Sequence, residues 1–302
     1  MKFLVTHKTL YEYDEMVSVS HHSARVEPRL TATQEYDEFA IQISPEPALR
    51  KTRTDYFGNG VCSFSIQEIH RRLEITATSI VSVTAVTPPA LSLSPPWEKL
   101  VRTFRDPVSP EAVEPYEFCF DSPLLRTSDE LADYARESFS PDTPLLVGVN
   151  DLNRRIFKDF KYDPVATTVA TPLEEVLEKR RGVCQDFAHL AIASLRSLGL
   201  ASRYVSGYLR TRPPEGKERM IGADASHAWF SVFCPDLGWI DFDPTNNLLP
   251  AEEHIVLAYG RDYSDVCPVG GIIVGGGDHE VRVGVDVEEI TELDERGHPE
   301  AD

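Results

Sequence analysis

Gly182–Leu209, GVCQDFAHLAIASLRSLGLASRYVSGYL, decides how the rest of the chain is read. Phe187, Leu190, Ala191, Leu195 and Leu198 recur at helical spacing as one apolar stripe, and Gly199 supplies the stop. The spacing predicts a helix that opens at Cys184 and is followed by a strand over SRYVSGYL. A thiol on the first turn of a helix faces unpaired N–H groups and the positive end of the helix dipole, which favour thiolate over thiol. The same N–H groups can hydrogen-bond an oxygen that turns negative when the thiolate attacks a carbonyl. Gly182, just upstream, leaves room for substrate, and Cys184 reads as a nucleophile.

A cysteine nucleophile needs a histidine to hold its proton. His189 lies five positions along the same helix, so its side chain points roughly 140° away from Cys184 and reads as structural. His227, in DASHAWFSVF, opens a strand that leads through the turn-like CPDLG to a second strand, GWIDFDP, carrying Asp243. Asp243 would fix the imidazole tautomer and stabilise its charged form. A hairpin closed from Pro235 to Gly238 sets Asp243 opposite Phe230, three residues from His227, so a bulge or skewed loop is required to bring the pair together. Asp224, at the head of DASHAW, reads either as support for the loop carrying His227 or as a turn cap.

Upstream, residues 1–90 hold short β-branched and aromatic runs, FLVTHKTLYEY, FAIQISP, VCSFSIQ and LEITATSIVSV, separated by turns such as FGNG. They read as an antiparallel β-rich domain. TPPALSLSPPWEK breaks the pattern with four prolines, so 91–127 reads as a proline-rich linker and connecting segment. Residues 128–290 form the core with C-terminal strands, beginning with a helix capped at Ser128 or Asp129, a second helix bearing Leu152, Ile156 and Phe160 on one face, and a short one ending at Gly182. Residues 291–302 read as an acidic tail.

The composition narrows the function. Of 302 residues, 49 are acidic and 30 basic, and the net charge of −19 repels phosphate backbones, which excludes nucleic acid as the expected partner. The cysteines Cys62, Cys119, Cys184, Cys234 and Cys267 are odd in number and scattered, with no CxxC pair, and reduced thiols fit best. No apolar run of membrane-spanning length and no leader pattern is present, so a soluble cytoplasmic protein is expected. His21 and His22 are strand neighbours on opposite faces and make a poor metal site. GGIIVGGGDHE lacks the lysine and helix of a phosphate loop. No cofactor is expected.

The segments GVCQDFAHLAIASLRSLGLASRYVSGYL, DASHAWFSVF and GWIDFDPTNN closely resemble the three core motifs of bacterial transglutaminase-like proteins. THKTLYEYDEMV, HHSARVEPRL and DYFGN resemble the N-terminal region that accompanies this core, and HIVLAYGRDYSDVCPVGG resembles its C-terminal continuation. The resemblance implies an α+β fold, a papain-like core with the cysteine helix on an antiparallel sheet, preceded by the β-rich domain. It also implies Cys184, His227 and Asp243 as the triad of a cysteine-dependent amide hydrolase or transamidase acting on a protein or peptide. Partners of ATP-grasp and α-helical type are implied by resemblance only. Tyr162, Gln185 and Trp229 are candidates for the oxyanion site or substrate groove, and Trp239 for groove wall. The alternatives are a peptide-binding module without catalysis, and a zinc site using Cys184, His227 and Asp243.

Overall fold

The computed structural model describes residues 1–105, 110–169, 171–211 and 225–290. Asp224, most of the loop before it and the acidic stretch 291–302 lie outside the described residues. The fold is α+β with antiparallel sheets.

The chain opens with β1 (Lys2–Ala24), β2 (Gln34–Ser44), β3 (Leu49–Thr54), β4 (Gly60–Ile66) and β5 (His70–Val83), which pair in the order β2-β5-β1-β4-β3. Alternation is clear in β5, where Leu73, Ile75, Ala77, Ser79, Val81 and Val83 turn inward and their neighbours outward. The proline-rich segment is more than a linker, because α1 (Trp97–Arg105) and α2 (Pro110–Tyr116) form within it and Leu100 and Phe104 enter the core. Proline is compatible with a helix start, since its missing N–H would have no partner there, and Pro96 and Pro110 stand at the two starts.

Next come α3 (Asp129–Arg136), α4 (Leu145–Asp159), β6 (Lys161–Tyr162), α5 (Leu173–Lys179) and β7 (Arg181–Gly182). Ser128 caps α3 by accepting the Leu131 N–H at 3.2 Å. The left-handed turn after α5 falls on Arg180 (φ 53°), two residues before Gly182. The cysteine helix α6 (Cys184–Ser197) then packs on a sheet of β8 (Ser202–Leu209), β9 (Ala225–Cys234), β10 (Gly238–Phe242) and β11 (His254–Gly260), ordered β10-β9-β8-β11. Arg196 anchors the far end of α6, donating to the carbonyls of Phe118, Phe120, Ser202 and Arg261.

The chain ends with α7 (Tyr263–Val266), β12 (Val269–Gly275) and β13 (His279–Glu289). These last two strands, grouped with the core in the sequence reading, hydrogen-bond to β1 instead: Phe3 pairs with Glu289, and Ala24 with Val269. The glycine-rich stretch is therefore β12 and its turn, with positive φ at Gly275, Gly276 and Gly277. The first sheet and the core share one apolar cluster, running from Phe3, Val81 and Val285 through Tyr208 and Phe230 to Ala188 and Leu190 of α6. That shared packing brings β1 and β13 over the N-terminus of α6.

Candidate active site

Cys184 occupies the first position of α6 and is half-buried. The preceding Val183 N–H donates to Asp186 Oδ2 at 2.8 Å, which also accepts from Thr167 Oγ1 at 2.6 Å. Gly182 serves this arrangement, because a Cβ there would meet Asp186 Oδ2 at 2.6 Å. Its missing side chain makes room for the carboxylate that ends the approach to the helix, a role other than the space for substrate expected from sequence.

His227 is buried near the start of β9 and lines the same cavity as Cys184, close enough for the thiol to act on its ionisation. Its Nε2 lies 2.8 Å from Asp243 Oδ2, leaving Nδ1 as the ring nitrogen for the thiol. Burial disfavours a charged imidazole here, but the bond to Asp243 and the contact with Cys184 outweigh it and raise His227 from 6.5 to about 9.

No bulge is needed to bring Asp243 there. The hairpin pairs Gly238 with Cys234 and Phe242 with Phe230, leaving Pro235–Leu237 as a three-residue loop with left-handed backbone at Asp236. Proline has no N–H for the ladder, so the pair closes one residue earlier on β9 than the sequence reading places it. This single-residue shift sets Asp243 one step beyond the Phe242–Phe230 pair, towards Trp229 and on the face shared by His227, Trp229 and Ser231.

Asp243 is fully buried and richly supplied with donors. Oδ1 accepts the Thr245 and Asn246 N–H groups at 2.9 and 3.2 Å, an Asx-type turn that explains the DPTNN sequence. Oδ2 accepts from His227, from Asn246 Nδ2 at 2.7 Å and from His254 Nε2 at 3.1 Å. Burial alone would raise this carboxyl; the hydrogen bonds from His227, His254 and Asn246 hold it well below the usual range.

A cavity of about 510 Å³ opens at this point. Cys184, Gln185 and His227 line one side, and His7 and Tyr11 of β1 with Val281 and Val283 of β13 line the other. The first sheet therefore supplies a wall of the site. His7 accepts or donates to Tyr208 Oη at 2.8 Å through Nδ1 and to Thr9 Oγ1 at 2.9 Å through Nε2, and burial pushes it down to about 4.

The structure separates the other expected residues. Gln185 lines the cavity. Tyr162 is half exposed beside Gly182, with burial and then the neighbouring Cys184 raising its hydroxyl. Trp229 is not in the Cys184 groove: it is fully buried, donates Nε1 to Asp241 at 2.9 Å and lines a second cavity, together with Trp239, Arg203 and His254. Its indole occupies the space over Gly207, where a Cβ would meet the ring at 2.4 Å. His189 is structural as read, accepting the Tyr263 N–H at 3.1 Å as a neutral ring. His22 is buried and His21 exposed, on opposite faces of β1.

Among the described residues, His227, Asp243 and His254 form the one group whose ligand atoms, all within 4.8 Å, could hold a metal. Cys184 does not belong to it, so the zinc set expected from sequence is not the set brought together here. His254 was not singled out by the sequence reading; a histidine heading the apolar run IVLAY after the DPTNN turn was its only signal.

Residues 132–244 match the transglutaminase-like superfamily, and residues 3–82 match the bacterial transglutaminase-like N-terminal region. The chain belongs to the transglutaminase-like superfamily. An uncharacterised protein of Mycobacterium tuberculosis is 42% identical over 294 residues, covering 95% of this chain and 92% of that one. A protein-glutamine gamma-glutamyltransferase of Pseudomonas aeruginosa is 26% identical over 128 residues, 40% of this chain and 18% of that protein. A solved structure from Cytophaga hutchinsonii, described provisionally as a cysteine protease, superimposes with a TM-score of 0.71 at 21% identity, covering 96% of this chain and 92% of that one. That likeness shows that the two chains share a fold. No described helix is long and apolar enough to cross a membrane.

Proposed function

We propose that this transglutaminase-like protein is a cysteine-dependent amide hydrolase or transamidase whose triad is Cys184, His227 and Asp243. The observation that carries this reading is the thiol of Cys184 and the imidazole of His227 at the wall of one cavity, with the buried Asp243 carboxylate bonded to the imidazole behind them. The Cys184 sulfur attacks an amide carbonyl carbon, the C–N bond breaks, and the imidazolium of His227 gives its proton to the departing amine. Water or a second amine then attacks the thioester carbonyl and gives its proton to His227, and the C–S bond breaks to release the acid or the new amide and return the Cys184 thiolate. The N–H groups of the first turn of α6 have no intrahelical acceptor and are available to the carbonyl oxygen as it becomes negative. Asp243 stays ionised throughout and holds the ring in the tautomer that faces the thiol.

The cavity wall contributed by β1 and β13, with Tyr11, Val281 and Val283, favours a peptide substrate presenting an apolar side chain next to the reacting carbonyl. Five unbridged cysteines fit a reducing compartment, and we place the protein in the cytoplasm. The test is release of amine from a panel of blocked dipeptide amides, with and without an added primary amine. Turnover that disappears in Cys184→Ala and His227→Ala supports the reading, and the effect of the amine separates hydrolysis from transfer. Turnover that persists in Cys184→Ala, or binding of the panel with no turnover by the wild type, removes it.

A further inference from the structure

Asp243 Oδ2 carries two imidazoles. His227 Nε2 lies 2.8 Å away and His254 Nε2 3.1 Å away, with the ring centroids 5.9 Å apart. His254 opens β11, which is separated from β9 by β8. Gly207 of β8, the partner of His227 in the ladder, leaves open the space into which Trp229 turns, and His254 packs edge-on against that indole with centroids 5.2 Å apart at 86°.

The carboxylate can only accept, so His254 carries its proton on Nε2. Its Nδ1 is then a bare acceptor, buried and without a hydrogen-bond partner. A hydrogen bond to a charged group is gained while a buried ring nitrogen is left unpaired, and these contributions are of similar size and opposite sign. Fold stability therefore gives little reason for a histidine at this position. What His254 does supply is direction. With Asn246 Nδ2, which stands 3.4 Å from His227 Nε2, it adds a second and third donor to Oδ2, so the carboxylate cannot rotate without losing donors.

We propose that His254 is a positioning residue for the catalytic pair: its Nε2–H fixes the Asp243 carboxylate, which in turn holds His227 with Nδ1 towards Cys184. This rests on the reading of His227 as the partner of the Cys184 thiol. It also predicts a graded response to the replacing side chain, because a donor can substitute where an apolar group cannot.

The experiment follows iodoacetamide labelling of Cys184, located by peptide mass mapping, from pH 5 to 9 in the wild type, His254→Leu, His254→Gln and His227→Ala. At pH 6, His254→Leu is expected to label about tenfold more slowly than wild type, with its profile moved towards that of His227→Ala, and His254→Gln to recover to within about threefold. A wild-type profile in His254→Leu, alongside a collapsed one in His227→Ala, overturns the proposal and leaves the triad reading intact. If His227→Ala has no effect, the triad reading itself fails and the proposal with it. A measurement on the wild type alone guards against a variant that fails to fold. Long-range ¹H–¹⁵N spectra at pH 7 are expected to report the Nε2–H tautomer at His254, and an Nδ1–H tautomer overturns the proposal.

Discussion

Asp243 and His227 meet because Phe242 pairs with Phe230: that register carries the next residue of the chain to the face of the sheet occupied by the His227 ring, and Oδ2 reaches Nε2 at 2.8 Å. A slip of one residue would turn the carboxylate to the opposite face. Lengthening the Pro235–Leu237 loop by a single glycine offers the chain that alternative register. Labelling of Cys184 at pH 6 is expected to fall to the level of His227→Ala in this insertion protein, while circular dichroism retains the sheet signal.

The charged state of His227 makes stability depend on alkaline pH. Its folded value of about 9 lies above the unfolded 6.5. The contribution is therefore complete below pH 6.5 and is lost as pH rises through 9. Urea unfolding of wild type and His227→Gln at pH 6 and pH 9.5 is expected to reveal a wild-type advantage that shrinks by roughly 3 kcal/mol between the two.

On the acid side the sign reverses. Burial pushes His7 and His189 down to about 4, below the unfolded 6.5, so the unfolded chain takes up the protons first. Stability falls as pH drops from 6.5 towards 4. The urea midpoint of His7→Gln, whose amide can still meet Tyr208 and Thr9, is expected to decline less over that range than the wild-type midpoint. Equal slopes would mean that His7 is charged in the folded protein.

Gly207 tolerates no side chain. A Cβ would stand 2.1 Å from the Ile255 carbonyl oxygen and 2.4 Å from the Trp229 ring. Gly207→Ala is expected to cost roughly 3 kcal/mol in urea unfolding and to slow Cys184 labelling, since Trp229 packs against both His227 and His254.

Zinc is expected to be far below one equivalent in protein purified without chelator, and EDTA to leave Cys184 labelling unchanged. The potential ligand atoms of His227, His254 and Asp243 already satisfy one another as hydrogen bonds at 2.8 and 3.1 Å. One tightly held zinc, lost in His254→Gln, would make this cluster a metal centre instead.

Much of the site is written in local sequence. The apolar stripe from Phe187 to Leu198 and the stop at Gly199 place Cys184 at a helix start, and the DPTNN turn places a carboxylate at a strand end. Pairing between distant strands is not written that way. β13 meets β1 through Phe3 and Glu289, which no periodicity links, and this pairing brings His7, Tyr11, Val281 and Val283 to the cavity. The face chosen by Trp229 and the approach of His254 both depend on the absence of a side chain at Gly207, on the strand that lies between theirs. Register was the finest of these details, because one residue of loop length decides which face Asp243 occupies.

The most direct test of the account is iodoacetamide labelling of the native protein at pH 6 with peptide mass mapping of all five cysteines, repeated in His227→Ala. Selective modification of Cys184 that disappears with His227 is the predicted result. Labelling of Cys184 no faster than that of the other four cysteines, or selective labelling unchanged in His227→Ala, would contradict it.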